Sequence, residues 1–572
     1  MGACNVVERV LASVGKAGPV TPHFEAAADV PAAGVLCALP ALLACGLLRH
    51  AAPHLQLPPG YYSLPSVLLL LAFMALARVR SVEKLRYYAP GEWGNVLGLD
   101  RIPEVRTLRE KIALLSANAA AVQSWGSVLA KQWMQEDPDS AGTLYVDGHV
   151  RVYHGQLTEL PRRYVARQRL CLRGTTDYWV NGLDGQPFFV VTKEIDPGLL
   201  HVIEHEIVPR LESDLGAAPD DAAHRFLLVF DRAGYSPAFF ARMWQRKVAC
   251  LSYHKFPGEH WPVEQFTSTP VVLPAGEHVD WELCERGTWL PVSDPEPGQP
   301  RGLWLREIRK RNPEGHQVSI LSTDRLTPAP RLAAMMFARW AQENFFRYMM
   351  EHFSLDRMIE HGTEPIPETT RLTNPSRRTL DSQIRSQNSL LTRRLTEFGA
   401  LSYDGTIAPA QIERFEQKKA LLQEQIAGLK EHLVALKQKR AAVPTHIAYK
   451  DLPPDQRFER LRADSKHFID TIKMIAYRAE TAMANVLRDV LARTDDAREL
   501  LRALYQNDAD LIPDDQKQTL TVRLHHLANR MSSAALQHLC DQLTATETVF
   551  PGTNLRLMYT LVSSQSPRDQ EV

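Results

Sequence analysis

The pattern of apolar and polar positions changes character along the chain. Residues 1–135 read as mostly helical. They open with two uncharged apolar runs, PAAGVLCALPALLACGLL at 31–48 and LPSVLLLLAFMALA at 64–77. SVEKLRYYA and VRTLREKIALLSANAAAVQSWGSVLAKQWMQ follow at helical spacing. A bilayer span needs roughly 20 apolar residues. The second run has only 14 residues, and the first carries Pro40, so both are expected to be buried helices of a globular fold. From 142 the period shortens. LYVDGHVRVY, QPFFVVTKEI and RFLLVFD read as strands. Asp147-Gly148 interrupts the first and reads locally as a hairpin turn. PGLLHVIEHEIVPRLESDL lies between the last two and reads as a helix. SPAFFARMWQRKV reads as the next helix, with Ser236 as N-cap and Pro237 at the first helical position. Strands alternating with helices predict an α/β core.

Residues 250–325 are rich in strand signals, Pro and Gly, and PRLAAMMFARWAQENFFRYMMEHF then predicts a long helix. Farther on, Ile412, Phe415, Leu422, Ile426, Leu429, Leu433 and Leu436 recur at steps of 3 and 4, broken only by Lys419. Leu380, Ile384, Leu391, Leu395 and Phe398 make a shorter seam upstream. With GALSYDGTIAP between them, the two seams predict an antiparallel helical hairpin of coiled-coil type. Four regions result: a helical region at 1–135, an α/β domain at 140–370 with a β-rich insertion at about 250–318, the hairpin at 376–445, and a helical region at 452–572.

A chain of 572 residues has room for about three or four domains. The 66 basic and 66 acidic side chains balance, which argues against a uniformly basic nucleic-acid coat protein. A local excess remains: residues 371–440 hold 13 Lys/Arg against 7 Asp/Glu. Seven cysteines without a CxxC pair suit a reducing compartment.

Three acids stand out. Asp147 and Asp231 each close an apolar strand, and Asp231 follows the five-residue run Phe226–Phe230. Glu343 sits on the very apolar helix, one turn after Arg339. Taken singly, they read as turn chemistry, a cap and an ion-pair partner. Together, two acids on strand ends and one on a helix make an oxygen cage suited to hard divalent cations. Two such ions can hold the attacking and leaving oxygens of a phosphoryl displacement.

YVDG, FDRAGYS and STDRL…ARWAQENFFRYM resemble the three blocks of DDE transposases of bacterial insertion sequences, in particular the group with a β-rich insertion before the third acid. PPGYY and YYAPGEWGNVLGLDRIPEVRTLR are similar to the region that precedes the core in such proteins. The resemblance implies an α/β RNase H-like core with a β-rich insertion, flanked by an N-terminal helical and a C-terminal helical or coiled-coil region. It implies Asp147, Asp231 and Glu343 as catalytic residues holding Mg²⁺ or Mn²⁺, two ions in all. It also implies cleavage and strand transfer of double-stranded DNA at element ends. Arg339 matches the arginine of the family's Tyr-Arg-Glu-Lys signature. The tyrosine position is Met336 and the lysine position Met350, with Arg347 the nearest base. Arg162, Arg163, Arg167 and Arg169 follow the first acid and are candidate DNA-backbone contacts. A homodimer on DNA in the bacterial cytoplasm, at the nucleoid and without membrane attachment, completes the expectation. Three alternatives stay open: a catalytically inactive relative that binds DNA or a partner, a membrane-anchored helical protein, and a zinc metalloprotease built on HVIEH at 201–205.

Overall fold

The computed structural model describes residues 6–562 except 155–161, 166–169, 216–223, 274–275, 293–299, 338–339, 358–362, 404–411, 455–456, 459, 462, 489, 492–493 and 528–529. The side chains of some further residues, Glu343 among them, are also outside the description. The chain forms two compact units. One comprises 1–154, 162–362 and 461–572; the other comprises 155–161 and 363–460.

The larger unit is built on a ten-stranded sheet. Numbered within this sheet, its strands are β1 (Thr143–Val152), β2 (Arg162–Val165), β3 (Leu170–Asn181), β4 (Pro187–Lys193), β5 (Leu227–Phe230), β6 (Ala249–Tyr253), β7 (Thr267–Val272), β8 (His278–Pro291), β9 (Gly302–Arg311) and β10 (Gln317–Ser322). The spatial order is β2-β3-β1-β5-β6-β10-β9-β8-β7, with β4 also paired to β3. β1 is antiparallel to β3 and parallel to β5, and β5 is parallel to β6. The strand-rich stretch after 250 continues this sheet as antiparallel strands.

The hairpin expected at Asp147-Gly148 is not formed. β1 runs straight through both residues, pairing Asp147 with Trp179 and Gly148 with Tyr178. Gly148 is not among the positive-φ glycines, and a type I′ turn requires φ > 0 at both central positions. Pairing with the long β3 overrides the local turn signal.

The two apolar runs near the N-terminus become Ala33–Ala38, Leu39–Ala44 and Leu64–Leu76. The last is buried nearly all round because it lies in the core against the long helix Asp464–Arg488. Ser63 caps it, its Oγ accepting from Ser66 N at 3.2 Å; such a cap contributes about 1 kcal/mol. Among the described residues no single helix is long and apolar enough to cross a membrane; Val105–Ser116 and Ala119–Glu136 together have the length and composition, but the chain bends by 80° between them.

The C-terminal part departs from an all-helical reading. Ala509–Asp514 and Thr519–Leu524 form an antiparallel pair, joined by Ala27–Val30 on one side and Arg556–Leu561 on the other. Leu520, Val522 and Leu524 are buried at a period of two, the strand spacing.

In the smaller unit, Pro375–Tyr403 and Ile412–Ala442 pack antiparallel. Arg440 pairs with Asp381 at 2.7 Å, Arg377 donates to the carbonyl of Val443 at 2.7 Å, and Lys419 lies over the ring of Phe398. Leu422, Ile426, Leu433 and Leu436 are buried along the seam.

Candidate active site

The site begins with strand register. Val146 of β1 lies opposite Phe230 of β5, and the next residue on each is an acid, Asp147 and Asp231. Neighbouring strands are about 4.8 Å apart, so the two acids stand side by side where the apolar parts of two parallel strands end. Phe226–Phe230 is buried throughout, whereas Asp231 is exposed and Asp147 half-buried. Asp231 caps the short turn Arg232–Gly234, its Oδ1 accepting from Arg232 N at 2.6 Å. Gly234 is required there: a Cβ would fall 2.3 Å from the Phe230 ring. Ser236 then starts Pro237–Gln245, its Oγ accepting from Phe239 N. Asp147 Oδ1 accepts from Gly148 N at 2.8 Å.

Both acids line one open cleft of about 660 Å³, together with Asp196, Asp356, His149 and Phe346. Asp196 accepts from Tyr178 Oη at 2.6 Å, from Thr176 Oγ1 at 3.1 Å and from Gly198 N at 2.8 Å. Its role is to tie the segment after β4 to β3. His149 Nε2 meets Asp356 Oδ1 at 2.5 Å, and its ring stacks on Phe346 at 5.5 Å. Asp196, Asp356 and His149 were not singled out from the sequence. His149 lies two residues past Asp147, the same-face spacing on a strand, but its link to Asp356 spans 207 positions.

Glu343 lies on the helix Trp340–Phe353. On one face of β1, Asp147 sits between Tyr145 and His149. Tyr145 Oη donates to the carbonyl of Met335 at 2.8 Å, in the helix Ala329–Phe337 before Glu343. Just after Glu343, Phe346 stacks on His149, and Phe345 contacts Trp179, the cross-strand partner of Asp147, at 5.3 Å. The chain that carries Glu343 is thus fastened at both ends to the strand residues flanking Asp147. Arg339, Arg167 and Arg169 lie outside the described residues, as do the side chains of Arg162 and Arg163 on β2. Arg347 is exposed, donating to Asn344 Oδ1 at 2.8 Å.

Four carboxylates and no Lys or Arg line the cleft among the described residues. An acidic cleft attracts cations, and its all-oxygen carboxylate donors suit hard ones. The competing patterns fare differently. Glu204 of HVIEH is gripped by Arg242 at 2.6 and 2.7 Å, which holds its carboxyl below the usual range. The acid of that pattern is therefore an ion-pair partner. Asp29, Asp510 and His525 are the one group of three, among the described residues, with ligand atoms within 4.8 Å of one another. Asp510 there accepts from Arg523 and from Asp29 N, so its oxygens are already occupied.

Fold and cleft together define an α/β protein that carries two side-by-side carboxylates where the parallel pairing of two core strands stops. The family described as transposase protein (Transposase_29) matches residues 1–563. The chain belongs to that transposase family. No curated protein matches it. Among solved structures, it is similar to the piggyBac transposase in a synaptic complex with hairpin DNA, determined by cryo-electron microscopy. That match has 9% identity over 76% of this chain and 74% of the other, and its TM-score of 0.29 is too low to define a shared fold.

Proposed function

We propose that this transposase is of the DDE type, cleaving DNA at the ends of a mobile element and joining the freed 3′ end to target DNA. The observation that carries the reading is the acidic cleft, with Asp147 and Asp231 in matching positions on neighbouring parallel strands. A polyanionic substrate approaches such a cleft at a cost unless cations stand between them. Asp147, Asp231 and Glu343 are the residues that would hold Mg²⁺ or Mn²⁺. Bound there, the ions would supply positive charge at the scissile phosphate.

The protein's own part is positioning. β1 and β5 hold two acids on a rigid sheet, and the ties to Met335, Phe345 and Phe346 fix the helix of the third. Such placement accounts for much of the rate in phosphoryl transfer. Without the short β2, the core strands lie in the order β4-β3-β1-β5-β6, which counted along the chain is 3-2-1-4-5, with β3 antiparallel to both β4 and β1, and β5 and β6 parallel to β1. That connectivity supports an RNase H-like core. Arg162, Arg163, Arg167, Arg169, Arg339 and Arg347 are proposed DNA contacts, and synapsis of two element ends implies two subunits. The bacterial nucleoid is the place where such an insertion-sequence enzyme would act.

The test is Asp231→Ala on the element's own ends. Loss of cleavage with DNA binding retained supports the proposal. Unchanged cleavage refutes it. DNA binding without cleavage by the unaltered protein, in Mg²⁺ and in Mn²⁺, would favour an inactive relative.

A further inference from the structure

A second cavity, of about 440 Å³, lies in the larger unit apart from the acidic cleft. Its volume is within the range of small-molecule sites. Leu71, Met74, Ile112, Phe353 and Ile472 give it an apolar wall. Segments far apart in sequence build it: the end of Leu64–Leu76, the helix Val105–Ser116, the end of Trp340–Phe353 and the long helix Asp464–Arg488.

The rim is cationic. Arg78, Arg80, Arg109, Arg357 and Lys473 line it against one acid, Glu83; Arg78 is paired with Glu480 at 2.6 Å. Glu83 is already paired with Arg86 and Arg109. Arg80 and Arg357 have no ion-pair partner among the described residues, although both are exposed. Lys473 is only 8% exposed, and its Nζ donates to the carbonyl of Ser354 at 3.1 Å. An ammonium has three donors, so two remain. Burial, with Lys466 nearby, pushes this amine down to about 7. An apolar wall beside unneutralised guanidinium groups fits a ligand with a flat apolar body and an anionic end.

We propose that this cavity binds an organic phosphate, its apolar body against Ile112, Phe353 and Ile472 and its phosphate between Arg80, Arg357 and Lys473. Two sources share that chemistry. One is a free nucleotide. The other is a nucleotide of DNA lying in the acidic cleft, and this source alone rests on the transposase reading. The two sites are neighbours in the chain, since Asp356 lines the cleft and Arg357 the cavity. Phe346 and Phe353 are two turns apart on one helix, about 10 Å.

Pyridoxal 5′-phosphate, an aromatic aldehyde with a phosphate, is the probe. The Lys473 amine adds to the aldehyde carbon, a C=N bond forms, and the aldehyde oxygen leaves as water. Borohydride then delivers hydride to the imine carbon, and water protonates the nitrogen. Peptide mapping of the full chain should find one label per chain on Lys473 at pH 7.5, at least 10-fold above surface lysines such as Lys84. The double substitution Arg80→Glu, Arg357→Glu should cut that labelling at least 10-fold with an unchanged circular dichroism spectrum. Labelling that only follows exposure, or that ignores the two arginines, overturns the proposal. Protection by dAMP identifies the free nucleotide as source, and protection by duplex DNA alone identifies the DNA strand. If neither protects, or inorganic phosphate protects as well as dAMP, the assignment is overturned. Because labelling does not depend on cleavage, failure of the cleavage assay leaves the cavity test intact.

Discussion

Asp177→Asn should be among the most damaging single-atom changes in the ten-stranded sheet. Asp177 is fully buried on β3, and Arg151 of β1 is 4% exposed. Arg151 Nε donates to Asp177 Oδ2 at 2.5 Å and its Nη2 to Oδ1 at 2.9 Å; Thr192 adds a third bond at 2.9 Å. Burial alone would raise the Asp177 carboxyl, but the Arg151 charge and its hydrogen bonds hold it below the usual range. Lys466 and Asp470 form a second buried pair close by, so the four groups are neutral together. The amide leaves that group with one net positive charge and Arg151 without its counter-ion. Removing one partner of a buried pair costs about 3–5 kcal/mol, roughly a 10²- to 10³-fold loss or more in the folding equilibrium. Urea unfolding followed by tryptophan fluorescence measures it, with the buried Trp179 two residues away as reporter. The double substitution Arg151→Met, Asp177→Leu should recover most of the loss, because apolar replacement of both partners is often neutral. A cost below about 1 kcal/mol for Asp177→Asn, against the 3–5 expected for a broken buried pair, would refute the reasoning.

Three further outcomes follow from the geometry. Gly234→Ala forces its Cβ into the Phe230 ring and should cost about 1–3 kcal/mol while displacing Asp231, which cleavage rates under saturating DNA would register as a drop in kcat. Tyr145→Phe removes the bond to Met335 and should cost about 1 kcal/mol in urea unfolding; cleavage should fall further than that loss explains, since the bond anchors the chain leading to Glu343. Burial, with Arg210 adding to it, pushes His467 from 6.5 down to about 4, so between those values the unfolded chain binds more protons and stability falls as pH falls. His467→Met should flatten the loss between pH 6.5 and 4, by up to about 3 kcal/mol, in urea titrations at both ends of that window.

Local chemistry made parts of this structure legible in the sequence. The buried run Phe226–Phe230 gives way to two charged, exposed residues, Asp231 and Arg232, and Ser236 caps the next helix as its side chain allows. What stayed hidden was non-local. β3 was missed because Thr175, Thr176, Asp177 and Asn181 read as polar, yet all four are buried. Their partners, among them Arg151, Asp196 and the carbonyl of Gly185, are not evident from the local pattern. Without β3, Asp147-Gly148 looked like a turn. The C-terminal sheet was hidden for a related reason, since Ala27–Val30 completes it from the other end of the chain. Asp356 reaches the cleft only because the helix before it packs on His149 and Trp179.

The central claim is that Asp147, Asp231 and Glu343 hold the metal ions of DNA cleavage. The measurement that tests it most directly is the metal preference of Asp231→Cys on the element's own ends. A thiolate favours softer ions than a carboxylate does. The account predicts cleavage abolished in Mg²⁺ and substantially restored in Mn²⁺, with DNA binding unchanged and Asp231→Ala inactive in both. Equal activity of Asp231→Cys and the unaltered protein in Mg²⁺ would contradict it.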